Sequence, residues 1–179
     1  MDLSLFGTTE YIPPTELDCI LMCLTPTNRL VARVCLETGL RIGDVVSLRR
    51  SVLSSSEEIT VQEQKTRKTR TVTLSDELRQ ELIEQSGEVY VFENTRDSNK
   101  HRTRQALWHD IKRCAHALRL DGCIAPHSLR KVYAVRKYSL CGNLVSVQND
   151  MNHSSLGVTA IYALADGLRD QKQKKRRRR

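Results

Sequence analysis

Apolar residues recur along this chain with two different spacings. Leu17, Ile20, Leu21 and Leu24 fall three and four apart, the stripe of a helix with one buried face. Pro13-Pro14 punctuates just before it, and Thr15 with Asp18 three residues on makes a capping-box-like start. Residues 1–12 read as an irregular lead-in, and Thr25 to Asn28, with Pro26 inside, reads as a break. A second helix turns Leu30, Val34 and Ala32 or Cys35 inward. Gly39 offers the left-handed residue that stops it. A short helix resumes through Asp44, Val45, Val46 and Leu48.

From Glu57 the spacing changes to two. Ile59 and Val61, then Val72 and Leu74, alternate with polar residues in Glu57–Glu63 and Lys68–Leu74, which predicts two strands. The basic turn Gln64-Lys65-Thr66-Arg67 joins them into a β-hairpin, expected at the edge of a three-stranded sheet. Helical spacing then returns. Ser75 caps a helix carrying Leu78, Leu82 and Ile83, with Gly87 as its end. Val89–Phe92 is a short apolar piece of open type, and Asn94–Arg102 reads as a polar, basic loop. Thr103 caps a long helix with Leu107, Ile111, Cys114, Ala115 and Leu118 in register, broken at Asp121-Gly122. A helix from about His127 to Leu140 buries Leu129, Val132 and Tyr133 and stops at Gly142. Leu144, Val147 and Met151 line one more, and a last runs from about Ser155 through Tyr162 to Leu168. The fold class is α+β: a mainly helical domain with a small antiparallel sheet.

Composition narrows this picture. A length of 179 residues suits one domain, placed at 13–170, with a polybasic tail at 171–179. Eight aromatic residues leave the core to Leu, Val, Ile and Ala. No apolar run reaches the ~18 residues of a membrane span, and Met1-Asp2-Leu3-Ser4 does not open a signal peptide. The net charge is +8, but Lys174–Arg179 holds six of the 29 basic residues, leaving 23 against 21 acidic in the body. DNA affinity of the body therefore depends on where its charges lie. The tail reads as a DNA-backbone contact, adding salt-dependent affinity, or as a disordered end. The six cysteines contain no Cys-x-x-Cys pair and match no zinc module; they read as reduced core thiols.

Three segments carry chemistry. Chemistry at a phosphodiester needs donors on the non-bridging oxygens, a nucleophile in line and an acid for the leaving oxygen. Without a carboxylate cluster for metal, the donors must be arginines, whose planar fork holds two oxygens at once. Thr38-Gly39-Leu40-Arg41-Ile42-Gly43-Asp44 places an arginine just after a helix-ending glycine. His127-Ser128-Leu129-Arg130 places a histidine and an arginine on one helix face. His153 precedes a helix on which Tyr162 lies nine positions later. Each alone has an ordinary reading: a solvated arginine, a helix-cap histidine, a core tyrosine, a turn lysine. Their order and spacing agree jointly.

These segments resemble the motif boxes of the tyrosine recombinase (phage integrase) family: T-G-x-R-[IV]-x-[ED]-[LV], then H-x-L-R, then H-x-x-[LI]-x-x-T-x-x-Y. Arg41, His127, Arg130, His153 and Tyr162 match, and Lys65, with Lys68 as its competitor, matches the hairpin lysine. Departures are Met151-Asn152 in place of a more usual Leu-Gly, Lys131 after Arg130, and only 40 residues before Arg41, too few for a helical DNA-clamping domain. The resemblance spans about residues 15–168. The chain is thus expected to be a catalytic fragment or a single-domain member.

The resemblance implies a DNA strand-exchange enzyme without metal, ATP or other cofactor. Tyr162 attacks the phosphate to form a 3′-phosphotyrosyl link, and His127 takes its proton. Arg41 and Arg130 hold the non-bridging oxygens, Lys65 protonates the leaving 5′ oxygen, and His153 donates to the phosphate. Asp44 orients an arginine, and Arg67, Lys68, Arg70 and Lys131 contact DNA. The expected partners are double-stranded target sites, further copies of the chain in a dimer or tetramer, and a helper DNA-binding domain or accessory protein. The expected setting is cytoplasmic and nucleoid-associated, in a bacterium, archaeon or phage. The competing readings are a type IB topoisomerase-like enzyme, a non-catalytic DNA-binding regulator and a metal-dependent nuclease.

Overall fold

The computed structural model describes residues 9–53 and 57–152. Helices α1 (Pro14–Cys23), α2 (Pro26–Thr38) and α3 (Ile42–Val46) come first, followed by a 3₁₀ turn at Arg50–Val52. Strands β1 (Glu58–Gln62) and β2 (Thr69–Thr73) follow, then α4 (Asp76–Gln85), β3 (Glu93–Asn94) and β4 (Asp97–His101). Helices α5 (Arg104–Ala117), α6 (Pro126–Cys141) and α7 (Leu144–Met151) close the described chain. The expected helix from Ser155 to Leu168 lies outside the described residues, as do His153, Tyr162 and the polybasic tail.

Helix α2 is the axis of the fold. Asn28, Val31, Ala32, Val34, Cys35, Leu36 and Thr38 are all buried on it, so almost no face is left to solvent. Helices α1, α3, α4, α5 and α6 pack around it. Burying each such aliphatic side chain is worth about 1.5–3 kcal/mol. The core continues through Leu17 and Ile20, Leu78 and Leu82, Leu107 and Ile111, and Leu129 and Val132. Tyr11 and Ile12, at the end of the expected lead-in, are buried with it. No helix among the described residues is long and apolar enough to cross a membrane.

Several local expectations are corrected. The capping box at Thr15 and Asp18 does not form, because Pro13 and Pro14 start α1 themselves, with Pro14 in the first turn, where a missing N–H costs nothing. Pro26 does the same for α2, so the break is only Leu24-Thr25. The sheet is not three-stranded: among the described residues β1 pairs with β2 alone, Ile59 opposite Val72 and Val61 opposite Arg70. Asn94–Arg102 is not a loop but a second hairpin. It has no apolar alternation to betray it, and the Asn94 side chain closes its turn on the Arg96 N–H. Helix α5 ends at Ala117, ahead of Asp121-Gly122. Of the cysteines only Cys35 and Cys114 are buried, while Cys19 and Cys141 are exposed; all six are free thiols.

Candidate active site

Gly39 ends α2 with φ +66, and a Cβ built there would stand 2.5 Å from Cδ1 of Tyr133. Only glycine fits both the left-handed backbone and the close approach. The chain reverses there, buries Leu40 and delivers Arg41 as the N-cap of α3. Helix α6 starts at Pro126, with the Ser128 hydroxyl accepting the Ala125 N–H. That puts His127 and Arg130 one turn apart near its beginning.

Arg130 is buried, and its guanidinium donates to two carbonyls: Gly39 through Nη1, and Met151, the last residue of α7, through Nη2 at 2.9 Å. Arg70 on β2 donates to the neighbouring Thr38 carbonyl at 2.6 Å. Two arginines thus clamp the end of α2 beside Arg41. Burial first, then the nearby Arg41 and Arg70 charges, push Arg130 down to about 10, so it stays a cation at neutral pH.

His127 feels the same accumulation of charge. His127 keeps an exposed face at the start of α6, yet desolvation by the protein packed beside it, then the Arg130, Lys131, Arg41 and Lys65 charges, push its pKa down to about 4. The imidazole is therefore neutral in the free protein and able to accept a proton. Lys65 is exposed at the tip of the β1–β2 hairpin. The structure thus brings Arg41, Lys65, His127 and Arg130, from three separate segments, within electrostatic reach of one another.

Glu63 was missed by sequence reasoning. It is fully buried just past β1, and its Oε2 accepts from Arg41 Nη1 at 2.8 Å, Thr66 Oγ1 at 2.7 Å and Asn152 Nδ2 at 2.9 Å. Burial raises its pKa, but these donors and the Arg41 charge outweigh burial and hold it below the usual range. The signal was present: Ile59, Val61 and Glu63 share the parity of one strand face, and that face is the inward one.

Asp44 does not orient an arginine as expected. Its Oδ1 accepts the Gln64 N–H at 2.8 Å and so pins the hairpin turn to α3, while its Oδ2 is buried without a hydrogen bond. Burial raises its pKa, against the pull of the Gln64 N–H. The hydrogen bond from Arg41 goes to Glu63, because the turn brings that carboxylate, not Asp44, to the guanidinium. Arg70 and Lys131 are likewise not on offer to a DNA backbone: Arg70 clamps Thr38, and Lys131 is buried with its ammonium on the Thr9 carbonyl. Arg67 and Lys68 are exposed, with Arg67 in the left-handed conformation that closes the turn. Asn152, the departure before His153, keeps a left-handed turn at φ +51. Asparagine tolerates that conformation because its short side chain bonds locally. Among the described residues no group of three or more His, Cys, Asp and Glu is arranged to hold a metal ion.

Arginines, a histidine and a lysine thus gather near the end of the central helix of a mainly helical domain. The model of the Phage integrase family matches residues 11–167, and the chain belongs to that family. It is 27% identical over 131 residues to a probable integrase/recombinase, YoeC, of Bacillus subtilis (strain 168), covering 71% of each. It is 28% identical over 146 residues to the tyrosine recombinase XerD of Pseudomonas putida, covering 75% of this chain and 48% of that protein. The chain thus spans about half the length of that recombinase. The catalytic domain of bacteriophage HP1 integrase superposes with a TM-score of 0.68 at 21% identity, over 88% of each chain. A lambda integrase dimer bound to a COC′ core site gives 0.75 at 19% identity, over 90% of this chain and 49% of that one. These likenesses establish the expected fold.

Proposed function

We propose that this chain is the catalytic domain of a site-specific recombinase that cleaves and rejoins DNA through a 3′-phosphotyrosyl intermediate. The observation that carries the proposal is the meeting of Arg41, Arg130 and His127 at the end of α2, with Lys65 within electrostatic reach, in a chain of the phage integrase family. Tyr162 is the nucleophile. A phenol with a pKa near 10 needs a base, and an imidazole held neutral by its surroundings is one at neutral pH. The phosphodiester then exchanges its 5′ oxygen for the phenol oxygen, so the bond energy is kept for rejoining. Arg41, with His153, takes the charge that grows on the non-bridging oxygens, and Arg130 joins them by exchanging one of its two carbonyls for a phosphate oxygen; one such donor is commonly worth about 3–4 kcal/mol. Lys65 returns a proton to the leaving oxygen.

Double-stranded target sites, assembly of two or four copies on them, and a helper DNA-binding segment belong to the same proposal. So do backbone contacts from Arg67, Lys68 and the polybasic tail, and a place at the nucleoid. Relatives of this fold have been solved as a dimer on a core site and as a tetramer on a Holliday junction.

The test is a pool of nicked duplexes with randomised cores, incubated with the 179-residue chain and run on a denaturing gel. A protein–DNA adduct is expected from the wild type and none from Tyr162→Phe, which still shifts the duplex on a native gel. An adduct trapped with Tyr162→Phe would overturn the nucleophile, and the absence of any wild-type adduct would overturn the enzyme.

A further inference from the structure

Glu63 is a buried charge that the strand-transfer reaction does not itself consume. A carboxylate with no exposure to water is costly unless closely paired. Its donors here come from three parts of the chain: the N-cap of α3, the hairpin turn and the C-cap of α7. All three meet on Oε2. The other oxygen, Oε1, is buried without a hydrogen bond, 4.0 Å from Arg70 Nη1. A carboxylate serving stability alone is best placed where every lone pair is filled. Its closer ion pair is instead with Arg41, whose side chain is still a quarter exposed.

Each donor segment bears on a different candidate group: Arg41 itself, Lys65 beside Thr66, and His153 beside Asn152. A glycine at 152 would keep the left-handed turn but supply no donor. We infer that Glu63 is the positioning residue for Arg41, fixing the plane of its guanidinium and setting the hairpin turn and the end of α7 in register with it before DNA arrives. The inference rests on the strand-transfer reading. With one Nη held by Glu63, the rest of the fork is left for phosphate oxygens, and the long side chain has less freedom to lose on binding. Glu63 also sets one negative charge among Arg41, Arg70 and Arg130, so the three cations are tolerated together without a phosphate.

The experiment uses the full chain and a duplex recovered as adduct from the randomised pool, measuring maximal rate and apparent KM of adduct formation for E63A, E63Q, E63D, R41A and R41A/E63A. E63A is expected to lower the maximal rate by about 10²-fold, the scale of a small misplacement at a reacting centre, with KM little changed. E63Q is expected to recover most of that loss, since an amide oxygen accepts from the same three donors. R41A/E63A is expected to be no slower than R41A, because Glu63 acts through Arg41. Losses that multiply in the double variant, or a wild-type rate in E63A, overturn the inference. Should E63A fail to fold, E63Q against E63D decides: E63Q must be the faster, and the reverse order overturns the assignment. A wild-type chain without adduct removes the strand-transfer reading and this inference together, whereas multiplicative losses in an active enzyme remove only this one.

Discussion

Two buried carboxylates organise this protein in opposite ways. Asp110 on α5 gathers the Thr25 N–H and hydroxyl, the Asn28 amide and, at 2.9 and 2.6 Å, two donors of Arg113. Both its oxygens are occupied, and it faces one guanidinium. Burial pushes its pKa up, but the bonds from Asn28, Thr25 and Arg113 outweigh burial and hold it at about 2. Glu63 takes three donors on one oxygen, leaves the other without a hydrogen bond, and shares its surroundings with Arg41, Arg70 and Arg130. Fully satisfied, balanced charge at Asp110 is what a joint between α1, α2 and α5 requires. Around Glu63 cations are in excess and a buried lone pair is unfilled, an arrangement that costs stability and suits an anion still to come.

The largest expected effect breaks the comparison at the structural end. Asp110→Ala strands the Thr25 and Asn28 donors and should cost about 3 kcal/mol, lowering the thermal midpoint by roughly 10 °C. Its adduct rate, measured well below that midpoint, should match the wild type; a slowed reaction would mean that Asp110 also serves the site. Next is pH. With a folded pKa near 4 against the usual 6.5, His127 is protonated more readily in the unfolded chain. Its contribution is therefore complete above pH 6.5, falls as the pH drops towards 4 and is constant below. Proton NMR of the ring should show the low titration, and His127→Gln should flatten the stability profile over that window; a ring titrating near 6.5 contradicts the electrostatic picture. The smallest effect sharpens the Glu63 side. Asn152→Gly keeps the turn and removes one donor, so it should cost about 1 kcal/mol or less and slow adduct formation only a few-fold; a loss as large as that of E63A would shift the positioning role towards Asn152.

Legibility in the sequence followed periodicity. The stripes of α4, α5 and α6, the alternation of β1 and β2, and the stops at Gly39 and Gly142 were written in local residue order, as were the motif residues Arg41, His127 and Arg130. The β3–β4 hairpin was not, because Asp97–His101 is a polar strand with no buried face to mark it. Partner choice was not legible either. Asp44 and Glu63 are both plausible companions for an arginine, and a guanidinium on β2 or α6 is an exposed DNA contact or a buried clamp according to what packs over it.

The order of apolar and polar residues by itself determined most of the elements, where Gly39 turns the chain, and that the arginines, histidine and lysine of a candidate site are present, since each depends on neighbours within a few positions. Only the tertiary structure decided that Arg130 and Arg70 close the end of α2, that Asp44 pins the hairpin, and that Glu63 receives Arg41. Hydrogen-bond partners 20 to 90 residues apart are chosen by which surfaces the core brings within about 3 Å of each other, and no local pattern records that.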